Sequence, residues 1–173
     1  MDETLFKYVL EPGVLDVRRM QADGIYPSDE RLARGPIAVF ECAQEIPCNP
    51  CESACRQGYI EIGEDITRLP VLDERCTGCG LCLSSCPGLS IFILDATYGE
   101  TEAAVTMPYE LLPLPGKGER VRALDRRGRE VCAGTVLSVR RSPQDRAFHS
   151  VQVAIPKAHL HEVRHIERIA NAR

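Results

Sequence analysis

The chain has 173 residues, 44% of them apolar and 27% charged, with a formal net charge of −4. That length suits one ordinary domain or two small ones, and no run approaches the roughly eighteen apolar residues of a membrane span. The charge balance gives no sign of nucleic-acid binding. Nine cysteines, with no signal-like apolar run after Met1, point to a reducing, cytoplasmic setting.

Charge is uneven along the chain. Residues 1–36 carry five Lys/Arg against seven Asp/Glu, residues 37–95 three against nine, and residues 96–173 thirteen against nine. An acidic middle precedes a basic end, which reads either as two docking faces or as ordinary solvated charge.

Residues 1–36 alternate short apolar patches with the turn signals Glu11-Pro12-Gly13 and Asp23-Gly24. Ser28-Asp29-Glu30 predicts a brief helix with Ser28 as N-cap, acidic residues in its first turn and Gly35 closing it. The segment is too broken for a core of its own and is expected to lie against a neighbouring surface.

Residues 37–95 begin with a strand from Ile37 to Glu41 and hold eight cysteines in two runs, Cys42, Cys48, Cys51, Cys55 and Cys76, Cys79, Cys82, Cys86. The second is C-x2-C-x2-C-x3-C closed by Pro87, a spacing used for [4Fe–4S] ligation in which the fourth cysteine serves the other cluster. The first keeps C-x2-C-x3-C behind a gap of five residues, Ala43 to Pro47, and has Arg56 where the second has proline. Crossed ligation would place Cys42, Cys48, Cys51 and Cys86 on one cluster and Cys76, Cys79, Cys82 and Cys55 on the other.

A shift of 31 residues superposes Cys48, Cys51 and Cys55 on Cys79, Cys82 and Cys86, and Ile60 and Ile62 on Ile91 and Ile93. Such a repeat signals a duplicated unit with a shared core. It predicts short helical turns after Pro50 and Gly80, each followed by a strand whose isoleucines could cover the clusters. Gly78 and Gly80 allow close wrapping of the backbone, or serve only as tight-turn residues. Disulfides, two zinc-binding Cys pairs, or a single cluster on the second run are the competing uses of these thiols. The odd cysteine count argues against the first, and the third cysteine at x2 with a fourth at x3 before proline argues against the second.

Residues 96–118 read as a linker, rich in proline and glycine from Met107 to Gly118. Residues 119–173 read as small and β-rich: Val121 to Leu124, a turn at Asp125–Gly128, Val131 to Val139, a turn at Ser142–Asp145, and an alternating strand through His149, Val151, Val153 and Ile155. Pro156 is expected to start a terminal helix carrying Ala158, Val163 and Ile166. Three strands and a helix cannot readily close alone, so this part should pack on its neighbour or on a partner. His159, His161 and His165 lack a metal-binding motif and read as surface histidines, and Cys132 as a small buried apolar residue. No phosphate loop, catalytic triad or carboxylate pair is present.

The motifs Phe40-Glu41-Cys42, Ile46-Pro47-Cys48-Asn49-Pro50-Cys51, Cys76-Thr77-Gly78-Cys79-Gly80-Leu81-Cys82 and Cys86-Pro87-Gly88-Leu89-Ser90-Ile91 resemble those of a ferredoxin-type small subunit found beside FAD-dependent amino-acid or opine dehydrogenases. The likeness continues through Pro108–Pro115 and Val153–Lys157. It implies an α+β fold, with a bacterial-type dicluster ferredoxin domain followed by a small β-rich C-terminal domain. It also implies two [4Fe–4S] clusters, a flavoprotein partner acting on proline, hydroxyproline, sarcosine or an opine, a small [2Fe–2S] protein, and a hetero-oligomer. The chain would then relay single electrons without a catalytic site of its own. A free-standing soluble ferredoxin is the alternative, against which stand the long segments either side of the cysteines.

Overall fold

Two stretches, Ile37-Ala38-Val39-Phe40 and Ile91-Phe92-Ile93-Leu94, lack polar alternation, so each must be covered on both faces. A computed structural model shows how this is met; it describes residues 8–11, 14–42, 46–142 and 148–169. In chain order the elements are β1 (Val9–Glu11), β2 (Val14–Leu15), α1 (Val17–Ala22), α2 (Asp29–Leu32), β3 (Ile37–Phe40), α3 (Pro50–Ala54), β4 (Ile60–Glu61), β5 (Val71–Leu72), α4 (Leu81–Ser85), β6 (Ile91–Asp95), β7 (Glu102–Tyr109), β8 (Arg120–Leu124), β9 (Glu130–Arg141), β10 (His149–Pro156) and β11 (His165–Arg168). Seven strands form one antiparallel sheet in the order β11-β8-β9-β10-β7-β6-β3, while β1–β2 and β4–β5 are separate ribbons.

One core lies on a single face of this sheet. Val151, Val153 and Ile155 of β10 stand beside Met107, Val105 and Ala103 of β7 in register, joined by Val121, Ala123, Val136 and Ile166 from the far strands. Ile37, Val39, Phe92 and Leu94 extend it to the other edge, and Tyr8, Leu15, Met20, Tyr26 and Leu32 of the N-terminal segment pack against it. The helix predicted at Ser28 forms as α2, with the Ser28 hydroxyl accepting from Arg31 N at 3.2 Å. A second helix, α1, is capped by Asp16.

Alternate residues of β3 and β6 face the other way. Ala38, Phe40, Ile91 and Ile93 form a second core with the cysteine-bearing segment, so these two strands are sandwiched between both cores. The fold therefore combines short helices with a large antiparallel sheet, α+β as expected.

Two expectations fail. The stretch expected as a linker contains β7, which pairs with β10 along its length and with β6 at Ala104 to Thr106. Its alternating Ala103, Val105, Met107 and Tyr109 supply the apolar face of a strand, and Pro108 falls beyond the reach of β6, where β7 has a neighbour on one side only. The terminal helix is also absent: one 3-10 turn at Lys157–His159 leads into β11, which pairs with β8. Val163 and Ile166 fit helical spacing, but a strand here satisfies the otherwise open edge of β8. Hence residues 119–173 are continuous with the cysteine-bearing part through the sheet. The turn expected at Ser142–Asp145 extends outside the described residues.

Candidate metal centre

The 31-residue repeat is reproduced element by element. Helix α3 spans Pro50–Ala54 and α4 spans Leu81–Ser85, and the two pack together. Pro50 opens α3, while Gly80, at φ +82°, turns the chain into α4. Cys51 and Cys82 lie within the helices and are buried; Cys55 and Cys86 are the residues at which the helices end. Beyond each end the chain passes through positive φ, at Gly58 (+66°) and Leu89 (+52°). The following N–H then points back: Tyr59 N donates to Cys55 Sγ at 3.3 Å and Ser90 N to Cys86 Sγ at 3.4 Å. Leu89 accepts a left-handed conformation that costs a non-glycine residue about 1–2 kcal/mol, and the donor to Cys86 is what that strain secures.

Cover comes from the predicted isoleucines. Ile60, Ile62, Ile91 and Ile93 share the second core with Ala38, Phe40, Leu83, Phe148, Cys51 and Cys82, and Cys42, Cys55, Cys76 and Cys86 border it. Glu52 of α3 fixes Ile62 by accepting from its N–H at 2.8 Å. Cys79 stays exposed.

The thiols crowd one another, and Cys51 stands near both Cys86 and Cys82. Burial pushes Cys42 up to about 12, aided by Cys86, Cys51 and Cys48; burial pushes Cys51 up to about 11, aided by Cys86 and Cys48. Burial likewise raises Cys82 to about 12, aided by Cys76, Cys79 and Cys51. Thiolates gathered this way under aliphatic cover need cations among them, and iron bound by thiolate answers that need. None of the nine cysteines is paired in a disulfide. Among the described residues no three Cys, His, Asp or Glu side chains converge on a point for a single metal ion. The donor set, its N–H donors and its apolar cover fit [4Fe–4S] ligation.

Glycine at 78 is a requirement of packing. A Cβ there, at φ +63°, would lie 2.7 Å from Pro36 Cβ and 2.9 Å from Ile93 Cγ2. Gly78 N donates to Cys76 Sγ at 3.4 Å. By contrast, a Cβ at Gly80 would meet nothing within 4 Å, so that glycine answers only to its backbone angle.

Two polar clusters escaped sequence reasoning. Glu41, next to Cys42, accepts from Arg126 Nη2 at 2.5 Å and Nε at 2.8 Å and from Arg164 Nε at 2.7 Å. Burial alone would raise its carboxyl, but the two guanidinium groups outweigh it and hold the carboxyl below its usual range. Arg164 also donates to Tyr26 Oη and to the Leu160 and Val163 carbonyls. Arg31 is the second case: it is buried and donates to the carbonyls of Glu74, Gly35, Pro36 and Cys76. A charged residue in a short helix or a turn carries no sequence signal of burial; Glu41 beside Cys42 in the Phe40-Glu41-Cys42 motif was the one available hint.

The remaining candidates lie apart. His159 sits 3.0 Å from Glu162, His161 packs on Tyr26 with Asp29 at 3.5 Å, and His165 stacks on Tyr109, so the three serve different surroundings. Burial lowers His161 and His165. Cys132 lies in β9, half-buried against the main core. The residues Ala43, Gln44 and Glu45 of the five-residue gap lie outside the described residues.

The family model described as a 4Fe-4S dicluster domain matches residues 46–88. The match takes in every cysteine from Cys48 to Cys86 and leaves Cys42 outside it. This segment is of the ferredoxin type, which supports [4Fe–4S] cofactors and a role in electron transfer. No solved structure matches the chain. Among the described residues no helix is long and apolar enough to cross a membrane.

Proposed function

We propose that the chain is an electron-transfer subunit holding two [4Fe–4S] clusters, one on Cys42, Cys48, Cys51 and Cys86 and the other on Cys76, Cys79, Cys82 and Cys55. It passes electrons from a flavin site in a partner amino-acid or opine dehydrogenase to a downstream acceptor. The observation that carries this is the duplicated pair of packed helices, α3 and α4, whose cysteines share one apolar cover, with Cys86 of the second run beside Cys42 and Cys51 of the first. When bound, a [4Fe–4S] cluster takes up and releases one electron at a time. The chain's residues do the rest: Tyr59, Gly78 and Ser90 N–H groups stabilise negative charge on Cys55, Cys76 and Cys86, and the isoleucine cover excludes water. Exposed Cys79 is the thiol nearest the outside for exchange with a partner. A subunit role is supported by the adjacent exposed Leu111 and Leu112, an apolar step that suits a partner surface.

Anaerobically purified protein should carry about eight irons and eight sulfides, the inventory of two [4Fe–4S] clusters. Cys55→Ala should chiefly damage the cluster on Cys76, Cys79 and Cys82; loss of the other instead would show the crossed assignment to be wrong. Native purification tests the partner, since a monomer free of any flavoprotein would favour the free-standing ferredoxin.

A further inference from the structure

Arg31 is 5% exposed and meets no carboxylate among the described residues. Its Nε donates to the Glu74 carbonyl at 2.6 Å, Nη1 to Gly35 at 3.1 Å, and Nη2 to Pro36 at 3.4 Å and Cys76 at 2.5 Å. Carbonyl dipoles satisfy its N–H groups without cancelling its charge, and a buried uncompensated cation is costly. The other deeply buried guanidinium, Arg164, has Glu41. Among the described residues Arg31 thus holds a charge that no carboxylate pairs with.

One of its acceptors belongs to a residue assigned above as a cluster ligand. The Cys76 carbonyl is held by Arg31, and the Cys76 thiol accepts from Gly78 N. Gly78 in turn sits so close to Pro36 that a Cβ would overlap it, and the Pro36 carbonyl is another Arg31 acceptor. Arg31, Pro36 and the Cys76–Gly78 loop therefore form one locked piece, with guanidinium and thiol held at a set separation.

We propose that Arg31 is the countercharge of the cluster seated on Cys55, Cys76, Cys79 and Cys82 and raises its reduction potential. This rests on the ligation proposed above. A four-thiolate [4Fe–4S] site is anionic and gains one further negative charge on reduction, so a fixed buried cation favours the reduced state. The N-terminal segment then acts on electron transfer, not only as cover for the sheet.

Redox titration of the loaded full-length protein, followed by electron paramagnetic resonance, tests this. Arg31→Gln with wild-type iron content should lower one midpoint, that of the centre whose signal Cys79→Ala abolishes, and leave the other unmoved. Arg31→Lys keeps the charge but cannot span four carbonyls, so it should lose thermal stability while its midpoint stays near wild type. Arg34→Gln, exposed on the same turn and paired with Glu74, should move neither midpoint. Unchanged midpoints in Arg31→Gln, or an equal fall in the Gln and Lys variants, would overturn the inference. Should the Gln variant bind no iron, Arg31→Lys decides alone: a retained midpoint upholds the charge and a lowered one overturns it. A wild-type protein without a cluster on the second run sinks the ligation, and this inference with it.

Discussion

Gly78 shows how much one missing side chain decides. It was legible as a close-wrapping glycine, but the same sequence pattern marked Gly80, and only the positions of Pro36 and Ile93 separate them. Gly78→Ala must shift both neighbours from a left-handed backbone, and should destabilise the protein by about 1–3 kcal/mol. Chemical denaturation should show this loss, and iron analysis should show depletion of the cluster nearest Cys76. At the opposite end of the sheet, Glu119 accepts from Arg168 Nε at 2.6 Å and from Gly116 N at 2.8 Å, which hold its carboxyl below the usual glutamate range. A depressed carboxyl stabilises the fold above its unfolded value and loses that contribution as pH falls through the folded value. The stability gap between wild type and Glu119→Gln should therefore be open at neutral pH and close in acid; a gap that widens on acidification would contradict the assignment.

Among the elements, the junction at the end of β3 matters most. Glu41 N pairs with the Ser90 carbonyl at 2.8 Å, carrying the β3–β6 ladder up to Cys42, and the Glu41 carboxylate is gripped by the β8–β9 turn through Arg126 and by the approach to β11 through Arg164. Glu41 stands between two guanidinium groups, so Glu41→Leu leaves both uncompensated and should cost on the order of 3–5 kcal/mol in urea unfolding. Adding Arg126→Met and Arg164→Met should restore much of that loss, since all three charges then leave together. The cysteine helices were legible because ligand spacing and the repeat dictate them. Strand β7 was hidden by the density of Pro113, Pro115, Gly116 and Gly118 just beyond it. Strand β11 was hidden because Val163 and Ile166, three apart, suit one face of a helix, while the strand itself has only Ile166 buried and depends on the open edge of β8.

For the whole molecule, one sheet joins what charge and composition divided. Strand β6 is paired on one side by β3 and on the other by β7, and its faces belong to two cores. A fragment of residues 37–95 would expose the main-core face of both strands and lose Arg126 and Arg164. It should therefore fail to give a soluble protein with the full-length iron content, whereas a soluble, fully loaded fragment would show the cysteine-bearing part to be independent.

The sequence by itself determined the duplicated cysteine loops and the α3 and α4 positions, because both follow from short-range spacing that the chain order displays directly. Which side chains neutralise the buried charges, and where the C-terminal strands attach, was decided only by tertiary structure. Arg31 reaches the Cys76 carbonyl across 45 residues and Arg164 reaches Glu41 across 123, and side-chain contacts over such separations leave no periodic trace in the chain.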